Sequence, residues 1–415
     1  SSMSVVWLLG LALLSCTVAD SSTSCSAAKR AAKKGDPVDI TTYAFLLHFG
    51  VGCEKNIQES IHWYKKAAAK DYPKAENSLG LIYQNGQGVQ RDYAKAAKWF
   101  RLAAEAGEAA AQNNYGYCLQ HGQGVQKDTR QAVHWFKLAA KQGDAAAQNN
   151  LAYALEHGVG VKQDLKSAYQ WFHKAALQDN PAAQNNVASM LQHGKGVKQD
   201  NTAAVRWYTK AAEAGLAAAQ NNLGYMLHHG VGVTANTKLA AVWYKRAAKQ
   251  GLAVAENNYG SLLRDGTGVA QDQAQAVHWF RKAAVSGLAS AQNNYGYMLH
   301  HGLGVDVDNE RAVTWYEKAA KQGDAAAMTN LGFMLHHGMG IGRNDQLAFK
   351  WYQRAAKSGF AAAQNNLGFM LKDGLGTPMN KEAAVDWFWK AAQQGDEGAK
   401  KNLLFMMERY GVVGD

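Results

Sequence analysis

Three sets of residues in this sequence are of types that do chemistry. Ser26 and Lys29 stand in a Ser-x-x-Lys spacing, in which a lysine activates a serine toward a cell-wall or β-lactam substrate. The companion motifs of that chemistry are missing, so an enzyme of this kind is the least favoured reading. Histidine recurs at His121, His157, His193, His229, His301 and His337, and His228, His300 and His336 directly precede three of these. Adjacent helical residues point to different faces, and no carboxylate or cysteine recurs with the imidazoles to complete a ligand set. No metal is expected there; a fall in pH would instead charge the whole file. Of four cysteines, Cys25 and Cys53 fall in positions that are apolar elsewhere in the chain. In an oxidising compartment they could pair as a disulfide; otherwise they are two buried thiols. Cys118 reads as a small buried hydrophobe. Glycine turns such as Gly122-Gln123-Gly124-Val125 have no preceding strand, so they are not dinucleotide fingerprints. Neither a catalytic residue nor a cofactor is expected.

The elements that hold these residues repeat. Trp63, Trp99, Trp135, Trp171, Trp207, Trp243, Trp279, Trp315, Trp351 and Trp387 are each 36 residues apart, with an aromatic after every one and an Ala-Ala pair soon after. A chain of 415 residues with 41 glycines, 4 prolines and 47% hydrophobic residues is too long for one ordinary core, and this period accounts for it. In the third repeat, Ala111, Tyr115, Cys118 and Leu119 share one face of a first helix, helix A. A glycine turn ends it. Asp128, whose slot holds only Asp or Asn from Asn56 to Asn380, caps a second helix, helix B, which runs through Ala132, Trp135, Phe136, Ala139 and Ala140 and stops at Gly143. Pro37, Pro73 and Pro181 share a slot suited to the first turn of helix A. Glycines inside helix A, such as Gly116 and Gly224, imply a close neighbour, and the tryptophan of helix B is expected to fill that approach. Single helix pairs cannot bury their apolar faces, so the fold expected is all-α, a right-handed solenoid superhelix of about ten 36-residue helix-turn-helix units.

The ends depart from the period. Residues 1–19 read as a secretory signal, with an apolar run from Val5 to Leu14 and small residues through Ala19; Leu13-Leu14-Ser15-Cys16 also has the form of a lipobox, with Cys16 as a lipid anchor. Export to the periplasm or medium is expected, with the lumen of the endoplasmic reticulum as the alternative. Residues 20–36 form half a repeat, 37–396 the ten repeats, and 397–415 a capping helix and tail bearing Lys400, Lys401, Glu408 and Arg409.

The repeated columns, for example Ala219 to Leu223-Gly224, Gly230-Val231-Gly232-Val233, Ala240, Trp243-Tyr244, Ala247-Ala248 and Gly251, resemble the Sel1-like repeat family, a relative of the tetratricopeptide repeats. The resemblance covers roughly residues 21 to 410, with Asp71 and Asp179 replacing the terminal glycine. It implies a non-enzymatic scaffold or adaptor that holds a protein or peptide in the concave groove of its superhelix. Members serve in endoplasmic-reticulum quality control, in chitin-synthase activation, in bacterial contact with host cells and as periplasmic immunity proteins against phospholipase toxins; this last role is the more specific alternative.

On helix A, the residues opposite the core face define where a partner would lie. One slot is mostly aromatic, as at Tyr117, Tyr153, Tyr225, Tyr297, Phe333 and Phe369; another is mostly asparagine, as at Asn113, Asn149, Asn221, Asn257, Asn293 and Asn365. With His228, His300 and His336 these make a candidate peptide-binding groove, in which rings supply area and amides pair with an extended backbone. The competing reading packs the rings against neighbouring repeats and the amides into a structural ladder. A net charge of +11 admits an acidic partner. Lys66, Lys174, Lys210, Arg246, Lys282, Lys318, Arg354 and Lys390 share a slot late in helix B and read as a solvated outer face. Since these cations and the exposed aromatics occupy different helices, no base-stacking platform is formed and nucleic acid is not an expected partner. Oligomeric state is not legible.

Overall fold

The computed structural model describes residues 24–410, and all regular structure among them is helical. The expected signal and Cys16 lie outside these residues. Two compact units meet in sequence at Gln199 and Asp200. In the first are α1 (Cys25–Lys33), α2 (Pro37–Phe49), α3 (Ile57–Ala68), α4 (Pro73–Asn85), α5 (Tyr93–Glu105), α6 (Ala109–His121), α7 (Thr129–Lys141), α8 (Ala145–His157), α9 (Leu165–Ala176) and α10 (Pro181–His193). The second holds α11 (Asn201–Glu213), α12 (Ala217–His229), α13 (Thr237–Lys249), α14 (Ala253–Asp265), α15 (Gln273–Val285), α16 (Ala289–His301), α17 (Asn309–Lys321), α18 (Ala325–His337), α19 (Asp345–Lys357), α20 (Ala361–Asp373), α21 (Lys381–Gln393) and α22 (Glu397–Tyr410). Even numbers are A helices and odd numbers B helices. Within each unit every helix packs on the next, and successive A helices also touch, as α16 does α18 and α18 does α20. Each unit is therefore an α-solenoid.

Local chemistry sets the helix limits. The Asp or Asn before each B helix from α3 onward accepts a backbone N–H from its first turn, as Asp272 does from Gln275 at 2.9 Å, and each such cap is worth roughly 1 kcal/mol. The A helices from α2 to α20 end on left-handed glycines, among them Gly266 at φ +69°. Where aspartate stands in the glycine slot that ends helix B, at Asp71 and Asp179, the backbone still turns left-handed, at φ +54° and +56°. A short polar side chain tolerates that region better than most. Pro37, Pro73 and Pro181 each open an A helix.

One packing expectation is overturned. The glycine inside helix A faces not the tryptophan but the aromatic after it: a Cβ added to Gly224 would sit 2.9 Å from the Tyr244 ring, and one on Gly116 2.8 Å from Phe136. Those rings are the buried ones, with Phe136 and Phe280 at 0% exposure. The two aromatics are adjacent on helix B, about 100° apart, and only one can point at the paired A helix. The tryptophan instead meets a ring of helix A edge-on, as Trp279 does Tyr259 (centroids 5.8 Å) and Trp315 does Tyr295 (5.5 Å).

Helix α22, expected to be a polar cap, ion-pairs Lys400 with Glu397 at 2.7 Å and also exposes Leu404, Phe405 and Met407. The side chain of Arg409 lies outside those described.

Candidate partner-binding face

The A-helix slot opposite the core carries its rings into solvent. Tyr117, Tyr153, Tyr225, Tyr297, Phe333 and Phe369 are each 37–44% exposed. Four residues on, one helical turn, a histidine lies against most of them: Tyr117–His121 at 4.3 Å between centroids, Tyr153–His157 at 4.1 Å, Tyr225–His229 at 4.4 Å, Tyr297–His301 at 4.2 Å and Phe333–His337 at 4.3 Å. At Phe369 the Lys372 ammonium takes this part, 5.1 Å from the ring. Phe333 and Phe369 also meet the first histidine of the preceding pair, His300 at 6.1 Å and His336 at 6.4 Å, so the rings are partly covered and partly open to solvent.

The asparagines behave differently. The Nδ2 of Asn114 donates to the Oδ1 of Asn77 at 2.9 Å, Asn150 to Asn113 at 2.8 Å, Asn186 to Asn149 at 3.1 Å, Asn258 to Asn221 at 3.0 Å, Asn294 to Asn257 at 2.8 Å, Asn330 to Asn293 at 2.8 Å and Asn402 to Asn365 at 2.8 Å. These seven amide pairs are rungs of a structural ladder among the described residues, interrupted where Thr329 replaces the asparagine. Their Oδ1 atoms are committed to the array, which corrects the expectation that they await a partner backbone. The rings of the expected groove are exposed, whereas its amides are largely engaged within the array.

A second ladder went unread in the sequence. Gln112, Gln148, Gln220, Gln292 and Gln364 are 5% exposed. Their Nε2 groups donate to backbone carbonyls of the preceding B helix, as Gln220 does to Ala212 at 3.1 Å, and their Oε1 atoms accept from the next repeat's glutamine, as from Gln250 at 2.9 Å. The signal was the recurrence of one polar type in an otherwise apolar face. Each buried amide requires a partner, although Glu76, Glu256 and Met328 take this slot in three repeats.

The first histidine of each pair is engaged. His300 Nδ1 lies 2.7 Å from Asn309 Oδ1, and His336 Nδ1 lies 2.6 Å from Asp345, which Arg343 also holds at 2.8 Å. His228 stacks on His229 at 4.6 Å. Between α16 and α18 a depression of about 230 Å³ is lined by His300, His301, Tyr316, Asn330, Phe333 and Met334. Among the described residues, no group of three or more His, Cys, Asp and Glu side chains is gathered to hold a metal ion.

Burial, then the neighbouring imidazole, holds His228, His301 and His337 below the ordinary histidine pKa. The unfolded chain therefore binds protons first as pH falls through about 6.5, so stability contributed by the neutral rings is present above that pH and is lost below it. Between neutral pH and mild acid the melting temperature is expected to fall more steeply for the native chain than for a His228→Gln, His301→Gln, His337→Gln variant. Parallel melting curves against pH would show that these rings do not carry the dependence.

The remaining candidates lie apart from this face. Cys25 and Cys53 are joined as a disulfide, Cα–Cα 5.0 Å, tying α1 to the turn after α2. Cys118 is buried, and burial pushes its thiol up to about 12. Ser26 Oγ lies 2.9 Å from Ser24 Oγ and Lys29 Nζ lies 3.5 Å from Glu59, so each is engaged elsewhere. The helix B cations are exposed, as expected, yet not simply solvated. Each lies over its repeat's indole, from 4.1 Å for Lys318 on Trp315 to 5.6 Å for Arg354 on Trp351.

Comparison with known proteins accords with this geometry. A family model described as the Sel1 repeat matches residues 43–72, 73–108, 109–144, 145–180, 181–216, 217–252, 253–287, 289–324, 325–360 and 361–396. The crystal structure of c5321, a protective antigen present in uropathogenic Escherichia coli strains and displaying an SLR fold, is 33% identical, with 97% of this chain and 87% of that chain covered and a TM-score of 0.77. A Sel1 repeat protein from Oxalobacter formigenes is 34% identical over 74% of this chain and 89% of its own, TM-score 0.54. The immunity protein Pa5087 from Pseudomonas aeruginosa is 19% identical over 51% of this chain and 81% of its own, TM-score 0.35. None of the curated proteins compared matches the chain.

Proposed function

Because the chain belongs to the Sel1 repeat family, whose members are generally protein-interaction scaffolds, we propose that it is a non-enzymatic scaffold that captures a protein or peptide on the exposed ring row of its A helices. The observation that carries this reading is the row itself. Six large rings in ten repeats, exposed to water and five of them backed by a histidine, with Leu81, Ser189 and Ser261 interrupting the row, are a poor arrangement for a surface with no partner and a good one for burying aromatic area on contact. The two ladders behind it tie neighbouring repeats together, which favours an extended partner that meets several rings at once. The A-helix face carries no surplus of cations, so an acidic partner has no particular support there. The Cys25–Cys53 bridge supports an exported protein, since such bonds persist in oxidising compartments.

The test is capture of a partner from an extract by the immobilised chain, followed by its identification and titration against the chain. A stoichiometric complex blocked by substitutions in the ring row supports the proposal. A partner that binds as well after those substitutions overturns it. A secreted phospholipase as the captured protein would specify the immunity role.

A further inference from the structure

Charge in the second unit is divided between its two sets of helices. Its six B helices carry sixteen Lys or Arg against six Asp or Glu, whereas the five A helices from α12 to α20 carry two against three. Those two, Arg264 and Lys372, are ion-paired with the residues beside them, Asp265 and Asp373. The positive balance of this unit therefore sits on the B helices, away from the ring row.

We propose that the B-helix face of the second unit docks on an anionic lipid surface. Lys210, Arg246, Lys282, Lys318, Arg354 and Lys390 occupy the same position in six successive repeats, and all are exposed. Identical helix packing from repeat to repeat sets them in a row. Each is positioned over an indole, at 4.8, 4.5, 5.2, 4.1, 5.6 and 4.4 Å in that order, so part of the side-chain entropy of binding is already lost before contact. Further exposed cations lie along the same helices, one turn on, at Lys249, Lys321 and Lys357. Charge thus extends both across the helices and along them. A two-dimensional array complements a sheet of charge better than it does a single polyanionic strand. The indole faces are covered by the cations, so they offer no open platform for stacking nucleic-acid bases. Two cations have acidic neighbours, Lys282 at 2.8 Å from Glu256 and Lys321 at 3.6 Å from Glu317; the others in the row keep their charge for a partner. No helix among the described residues is long and apolar enough to cross a membrane, so the association is peripheral.

The experiment is co-sedimentation of the full chain with vesicles of phosphatidylcholine alone or mixed with phosphatidylglycerol. Binding is expected only to the anionic vesicles, weakening as salt rises from about 0.1 M to about 0.5 M. The Arg246→Gln, Lys318→Gln, Arg354→Gln variant, which spares Lys282 and its buried partner, is expected to bind roughly 100-fold more weakly, about fivefold per cation. Its melting temperature should stay close to that of the native chain. Tyr225→Ser with Tyr297→Ser is expected to leave vesicle binding unchanged, which separates this surface from the partner-binding row. Equal binding to both kinds of vesicle, an undiminished triple variant, or binding to a DNA duplex with none to vesicles would each overturn the proposal.

Discussion

Gly268→Ala is expected to destabilise the second unit by about 2–5 kcal/mol, far more than alanine in most turns. Gly268 is the second glycine of the turn after α14, at φ +73°. A Cβ there would overlap the Thr237 carbonyl and lie 2.8 Å from the backbone nitrogen of Lys238, both in the first turn of α13. Backbone atoms at a capped helix start cannot swing aside as a side chain would, so the two repeats must separate. In an array whose units are stable only through their neighbours, a separated boundary weakens both sides of it. Gly287→Ala supplies the control: it has φ +94° and nothing within 4 Å of the added carbon, so it reports backbone strain without the contact. Denaturant midpoints of the two variants check the claim. If they fall equally, the turn's packing on the preceding repeat contributes nothing.

The second large effect is on binding. Tyr225→Ser with Tyr297→Ser is expected to weaken a captured partner roughly 10²–10³-fold, because central aromatic anchors are worth about 2 kcal/mol or more each when buried against a partner. The same pair should lower the melting temperature little. Tyr225 and Tyr297 are 44% and 38% exposed, and the contacts they lose are chiefly with His229 and His301. Calorimetric titration of the partner, with thermal melting beside it, separates the outcomes. Loss of folding in the double variant would assign these rings to the core instead.

Much of this fold could be read from the chain without coordinates. The spacing of the tryptophans fixed the repeat length, and the Asp-or-Asn column located the start of every B helix from α3 onward, because a capping carboxylate or amide acts on N–H groups two or three residues away. Asp71 and Asp179 were visible as departures, and the left-handed backbone is retained at both. The apolar slots of Cys25 and Cys53 marked both as inward-facing, and the structure joins them. Each of these signals is local, or repeats at one fixed interval.

Contacts between helices were another matter. Helical periodicity assigns a residue to a face but does not say which neighbour meets that face. Gly224 therefore implied a close ring without revealing that it is Tyr244 rather than Trp243, two residues separated by one step around the helix. Asn149 was open to two roles until the Asn186 amide, 37 residues on, was seen 3.1 Å from it. The sequence already assigned the recurring cations to helix B, but only packing placed Lys318 over Trp315. The sequence by itself determined the period, the caps and the all-helical architecture, since these follow from hydrogen bonds and backbone preferences within a turn or two. Tertiary structure alone decided which side chains the array consumes for its own cohesion and which it leaves facing water, because that depends on distances between atoms a whole repeat apart.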